Sequence, residues 1–333
     1  MLKIGCLYSP KITRIPIAEY PKYFRVAELG NTFYRILSTK DINKLAKLSR
    51  TNKNFEFTMK VHRFITHKYQ FHHNNLREKA LTTIEKVIAT AKSLECNKIL
   101  IQTHYTQEYD KAFFENVLDF FNSINLNGIK IFWELRGLNW RYEEIRLRLK
   151  KLFADLNIGH VIDLLISRPL NINQEGIVYT RLHGFGARWN NYLHNIKDLL
   201  RFIREANALL KEIKEIYVIF PTEEMYNDAI FLNKLWEEIG AREINFDEFH
   251  PSFRIDFLLK YIFSGQHLEI TYAPPFALKP EKDRIKLSSR VLKNMQSKIE
   301  EYVELLNIIR NAEKIDEKLN KKYFDELRKL GEY

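Results

Sequence analysis

The run VYTRLHG (178–184) delivers a guanidinium, Arg181, an imidazole, His183, and a glycine, Gly184, to the end of a β-rich segment. Arg181 and His183 are two residues apart, so on a strand both point to the same side. Other apolar runs are interrupted in the same way, by Glu28 in FRVAELG, Lys60 in FEFTMKV, Glu134 and Arg136 in KIFWELR, and Asp163 in GHVIDLLI. A buried charge is costly unless paired, so these groups are expected to face one another or a ligand. Two chemistries fit them. In the first, Arg136, Arg181 and Lys60 hold a phosphate or carboxylate, and Glu134, His183, Lys60 and Glu28 are the catalytic candidates for moving protons. In the second, His104, Glu134, Asp163 and His183, from four consecutive runs, supply the imidazole and carboxylate mixture that a divalent zinc, manganese or magnesium ion accepts. Purely structural alternatives stay open: a Glu134–Arg136 ion pair, Lys60 balancing Glu28 or Glu134, and Asp163 accepting backbone hydrogen bonds. The histidine-rich stretch HRFITHKYQFHH has irregular spacing for zinc and reads as loop surface.

The elements that must position these residues recur along the chain. Eight β-branched or aromatic runs (KIGCLY, FRVAELG, FEFTMKV, KILIQTH, KIFWELR, GHVIDLLI, VYTRLHG and IYVIFP) alternate with helix-like segments such as TKDINKLAKLS, NLREKALTTIEKVIATAKSLE and TEEMYNDAIFLNKLWEEIG. Such alternation predicts a parallel sheet, and eight strands predict a (β/α)8 TIM-type barrel. No GxGxxG or GxxxxGK[ST] directs the chain to a nucleotide fold. The first and sixth connections lack a helical pattern, so the expected fold class is α/β, a distorted barrel over residues 1–240. In such a barrel the functional groups sit at the C-terminal ends of the strands, which adds Asn31, Arg63, His67 and Gln102 to the candidates. Phe33, Tyr34, Trp133, Trp140, Trp189 and Tyr192 lie in or beside the same ends, where aromatic rings could stack on bases or sugars. Residues 241–333 read differently, as a loop-rich stretch and then an α-helical C-terminal extension. Its apolar seam (Leu292, Met295, Ile299, Tyr302, Leu306, Ile309) would pack on the barrel or form a homodimer.

Charge narrows the partners. The first 240 residues hold 36 basic against 26 acidic residues, and the remainder is nearly balanced, so nearly all of the formal charge of +11 belongs to the barrel. A basic barrel suits nucleic acid, because neutralising phosphates releases counterions, although a lysine-rich solvated surface gives the same count. Two cysteines are too few for a disulfide framework or a cysteine zinc cage, and no apolar stretch is long enough to span a bilayer. A cytoplasmic protein that does not enter the membrane is the expectation.

Four ordered motifs carry a resemblance. AELGNTFYR (Glu28, Asn31, Thr32, Phe33, Tyr34, Arg35), FEFTMKVHRFITH (Phe55, Phe57, Lys60, Arg63, Thr66, His67), WELRGLNW (Glu134, Arg136, Trp140) and TRLHG (Arg181, His183, Gly184) resemble the motifs of the YecE-like family, domain of unknown function 72. The resemblance implies a TIM-type barrel and adds Arg35 to the substrate-binding candidates Asn31, Tyr34, Arg63, His67, Trp140 and Trp189. It implies no settled activity; the family's likeness to nuclease and sugar-isomerase barrels is an analogy of fold. The chain departs from the family where Gln102, Thr103, His104 and Tyr105 replace the usual Q-x-P-P, and where only Asn227 and Ala229 match the turn after the eighth run. Three functions follow as expectations. The first is a phosphodiester-cleaving enzyme on DNA or RNA, the second a barrel enzyme on a small anionic metabolite such as a sugar phosphate, and the third a non-catalytic nucleic-acid-binding scaffold.

Overall fold

Each described strand alternates side chains between two environments, and that alternation builds the barrel. The computed structural model describes residues 1–10, 15–68, 76–137, 139–184, 192, 194, 196–222 and 225–239. The eight strands are β1 (Leu2–Tyr8), β2 (Val26–Leu29), β3 (Glu56–Lys60), β4 (Lys98–Gln102), β5 (Lys130–Glu134), β6 (Gly159–Val161), β7 (Ile177–Arg181) and β8 (Glu215–Phe220). All pair in parallel, in the order β6-β5-β4-β3-β2-β1-β8-β7. The ends of that order meet through a single bridge, Ile162 to Thr180, so the barrel is nearly closed. The weak seam has a local cause. The connection from β6 to β7 has no helix and is held by asparagines: Asn171 Nδ2 donates to Ile158 O (2.8 Å), and Asn173 Oδ1 accepts from Ile177 N (2.8 Å). The distortion expected of the sixth connection is present, and the first connection holds only short turns, including α1 (Tyr20–Tyr23).

The outer layer comprises α2 (Thr39–Thr51), α3 (Arg77–Ser93), α4 (Lys111–Asn122), α5 (Glu143–Asp155), α6 (Ile196–Leu210) and α7 (Met225–Ile239). Ser38 and Asp110 cap α2 and α4 by accepting Asp41 N (3.2 Å) and Phe113 N (2.7 Å). The large apolar cluster lies between these helices and the outer face of the sheet, and Trp133 is buried in it against Phe113, Phe121 and Phe153. The grouping of Trp133 with the barrel-mouth aromatics is thereby corrected: its parity is opposite to that of Glu134. None of the described helices is long and apolar enough to cross a membrane. Cys6 and Cys96 are both buried and free. The C-terminal extension, its seam and Trp189 lie outside the described residues.

Inside the barrel a smaller apolar cluster, with Val26, Leu100, Phe132, Val161, Tyr179 and Ile219 among its members, fills the middle. Below it the strand starts form an ionic plug. Lys3 Nζ lies 2.6 Å from Glu56 Oε1 and 3.3 Å from Glu215, Lys98 Nζ lies 3.0 Å from Glu56 Oε2, and Tyr217 donates to Glu56. Gly5 on β1 lets β2 approach, since a Cβ there would sit 1.7 Å from Val26 O. That atom is backbone in a paired strand and cannot move aside. Gly5→Ala is therefore expected to destabilise the barrel by about 3 kcal/mol or more, read as a lowered urea midpoint; an unchanged midpoint would contradict the close β1–β2 approach.

Candidate active site

Five interior positions one layer above the apolar middle are polar or charged: Glu28 on β2, Lys60 on β3, Gln102 on β4, Glu134 on β5 and Arg181 on β7. They form one hydrogen-bonded network. Arg181 is buried and bridges two carboxylates, Nη1 to Glu134 Oε2 (2.5 Å) and Nη2 to Glu28 Oε1 (3.1 Å). Glu28 is fully buried, and its other oxygen accepts the Tyr179 hydroxyl (2.8 Å), which also contacts Thr58 Oγ1 (2.8 Å). Glu134 Oε1 accepts Gln102 Nε2 (2.8 Å) and Arg136 Nε and Nη2 (2.9 and 2.8 Å), with His183 Nε2 at 3.4 Å. The ion pairs settle the charge states. Burial pushes the Glu134 carboxyl up, but Arg181 and Arg136 more than reverse this and hold it well below the usual carboxylate range. Burial works against the Arg181 charge, and Glu28 with Glu134 overcomes it, so that its pKa is raised.

Lys60 is placed differently. Its Nζ donates to Gln102 Oε1 (2.6 Å) and lies 4.1 Å from the centroid of the Phe33 ring, with no carboxylate oxygen within 4 Å among the described residues. The alternative of Lys60 balancing Glu28 or Glu134 as an ion pair gives way to an amide contact. Burial, and after it the Arg181 charge, lower its pKa to about 7. The cation–π contact favours the ammonium by only about 1 kcal/mol and does not reverse this.

The connections that follow the strands finish the mouth. Asp163 accepts three backbone N–H groups, Leu165 (2.9 Å) on Oδ1 and His183 (2.9 Å) and Gly184 (3.3 Å) on Oδ2, and so fixes the turn that carries His183. Gly184 has φ +81°, and a Cβ there would meet the Tyr192 ring at 2.0 Å, so this turn requires glycine. Burial lowers the His183 pKa against the pull of Glu134, which leaves a neutral imidazole at pH 7. His67 is bonded to Thr66 Oγ1 (2.7 Å), stacks edge-on against Phe33 and His104, and has its pKa lowered to about 4 by burial and the neighbouring His104. Asn31 is buried in the turn after β2 with its Oδ1 unpartnered. Trp140 packs on His160 under the Arg141 guanidinium. Tyr34, Arg35 and Arg63 are exposed, and Arg35 pairs with Asp41 (3.0 Å). Glu28, Lys60, Glu134, Arg136, Arg181 and His183 thus converge; Arg35 and Arg63 remain at the rim. Tyr179 and Thr58 were not among the sequence candidates, because a tyrosine or threonine in an apolar strand reads as ordinary core.

The metal set proposed from the sequence does not assemble. No group of three or more histidine, cysteine or acidic side chains among the described residues could hold an ion. His104 Nδ1 is committed to Thr106 Oγ1 (2.6 Å), Asp163 to the backbone, and only Glu134 and His183 meet. The donor set does not fit a divalent cation.

The hub role of Glu134 predicts its acid response. Its folded pKa is depressed, so its contribution to stability is fully present above about pH 4.3 and is lost as pH falls through the folded value. Glu134→Gln is expected to cost ~3 kcal/mol at pH 7, with the gap to the parent chain narrowing in urea titrations run below about pH 4. A gap that stays constant down to pH 3 would contradict the assignment.

Comparison with known proteins places this geometry in a lineage. The model of "Protein of unknown function DUF72" matches residues 3–251. No curated protein matches the sequence significantly. A DUF72 family protein of Enterococcus faecalis V583 superposes with a TM-score of 0.54 at 17% identity, over 74% of this chain and 97% of the other. One from Thermotoga maritima MSB8 gives 0.52 at 20% identity, over 71% and 99%. A D-tagatose 3-epimerase-like protein gives 0.50 at 19% identity, over 67% and 92%. At these identities the structures establish the fold alone, a TIM-type barrel. The family match spans most of the sequence, and the chain belongs to the DUF72 family.

Proposed function

We propose that this barrel is a phosphodiester-cleaving enzyme on nucleic acid, with the phosphate seated over Arg136 and Lys60 at the mouth. The observation that carries this reading is the rim. Tyr34, Tyr105 and Tyr142 are 63%, 69% and 68% exposed and stand on the connections after β2, β4 and β5, and the exposed Arg63 and Arg141 stand on those after β3 and β5. Exposed rings interleaved with cations suit a strand of bases and phosphates, through stacking and charge together. The inner layer adds to this. The carboxylate oxygens of Glu28, Glu134 and Asp163 are all engaged, whereas Lys60 uses one of its three N–H bonds on a described protein acceptor and Arg181 Nε is unmatched. Spent carboxylates and unspent cationic donors call for an anionic ligand. His183, oriented by Glu134, is the base that takes a proton from the attacking water. The phosphorus–oxygen bond to the leaving sugar oxygen breaks as the new one forms, that oxygen takes a proton from solvent, and Arg136 with Lys60 stabilises the charge that develops on the phosphate.

A second reading, a small anionic metabolite such as a sugar phosphate, is favoured by the seat of Lys60 between Gln102 and the Phe33 ring and by Asn31 Oδ1, an acceptor suited to a ligand hydroxyl. Binding separates the two. Labelled single-stranded DNA, single-stranded RNA and duplex are expected to be retained at about 50 mM salt and released as salt rises toward about 200 mM. Arg136→Gln should weaken retention ~10-fold on every sequence and reduce the log–log salt slope by about one. A parent chain that retains none of the three at low salt removes the nucleic-acid reading.

A further inference from the structure

The lysines that face the barrel interior fall into two groups. Lys3 and Lys98 lie on Glu56 at 2.6 and 3.0 Å, and Lys130 lies 3.7 Å from Glu175. Lys60 has an amide oxygen, an aromatic face and, among the described residues, no carboxylate within 4 Å. It is also the one of the four at the C-terminal end of its strand, where a barrel presents its chemistry. An ammonium in an ion pair is a structural cation, but an amine beside a ring and other cations is placed to act as a nucleophile.

We infer that Lys60 forms a Schiff base with an aldehyde or ketone carried by a phosphorylated substrate. The geometry divides the work between neighbours. Arg136, at the mouth, holds the phosphate side, the Phe33 ring walls off one flank of the amine, and Gln102 Oε1 aims Nζ. The lone pair of the neutral amine attacks the carbonyl carbon; a C–N bond forms as the carbon–oxygen π bond breaks. Both amine protons then leave on that oxygen as water, giving C=N, and protonation of the nitrogen yields the iminium. No oxidant or reductant is consumed. The charged and titratable groups facing Lys60 are Arg181 on β7, Glu28 on β2, Glu134 and Arg136 at the end of β5, and His67 in the turn after β3. Their sum with burial leaves about half of Lys60 unprotonated near pH 7, the form the attack needs.

The inference rests on the reading of the mouth as an anion site, and it holds for either source of a carbonyl beside phosphate: a free sugar phosphate or the opened sugar of an abasic site in a strand. The test is reductive trapping on the full chain. Glyceraldehyde 3-phosphate in one arm and an abasic oligonucleotide in the other are incubated with the protein and cyanoborohydride at pH 7, and the digested protein is mapped by mass spectrometry. Hydride reduces the iminium to a secondary amine, and the adduct is expected on Lys60 about 100-fold or more above any exposed lysine, as their neutral fractions differ by more than that. Inorganic phosphate should compete, unphosphorylated glyceraldehyde should label poorly, and Lys60→Arg should lose the adduct while keeping its circular dichroism. Label spread over surface lysines, or Lys60 left unmodified in both arms, overturns the inference. The two proposals fail separately. Oligonucleotide retention without trapping overturns only the Schiff base, and trapping by the sugar phosphate without strand retention overturns only the nucleic-acid reading.

Discussion

The guanidinium of Arg181, buried between Glu28 and Glu134, is the interaction on which the upper half of the barrel depends. Desolvating three charges is costly, and the arrangement is tolerable only because each charge meets an opposite one and the remaining lone pairs find donors. That requirement fixes the positions of β2, β5 and β7 relative to one another, and the bonds from Tyr179 to Thr58 and from Gln102 to Lys60 extend the constraint to β3 and β4. The network is also what aims the reacting groups. Arg136 and His183 both approach Glu134 Oε1, so their orientation follows from a carboxylate that Arg181 holds in place. A substitution at any member leaves others uncompensated, and effects at this site will not be additive.

The two ends of the barrel apply the same physics to different outcomes. At the lower end Lys3, Lys98, Glu56, Glu215 and Tyr217 satisfy one another and close the floor. At the upper end the carboxylate oxygens of Glu28, Glu134 and Asp163 are satisfied, but Lys60, the Arg181 Nε and the buried Asn31 oxygen retain capacity among the described residues. The floor is a plug, and the mouth is a partly completed hydrogen-bond set awaiting a ligand.

Much of this was legible from period-two parity. Glu28, Lys60, Glu134 and Arg181 each interrupt an apolar run at a position that points inward, and the eight runs named from sequence coincide with the eight strands. Other features were not legible, for reasons that can be stated. Lys3, Glu56 and Lys98 stand at strand starts, where charge reads as solvated turn. His104 follows a strand, as a ligand would, but nothing in its spacing says that its ring turns to Thr106 and His67. Asp163 has the parity of a site residue, yet its oxygens serve the turn at His183 and Gly184. Contacts across strands depend on barrel register, which no local pattern encodes.

Gln102 explains why Lys60 differs from the other interior lysines. Its amide oxygen accepts Lys60 and its amide nitrogen donates to Glu134, so the side chain both joins and separates a cation and a carboxylate. The reversed amide would set N–H against ammonium and oxygen against carboxylate, which makes the orientation self-enforcing. A glutamate here would capture Lys60 as an ion pair and crowd Glu134 with a second negative charge. A neutral amide transmits position without neutralising charge, and it leaves the proton on Lys60 to be decided by Arg181, burial and whatever anion enters the mouth.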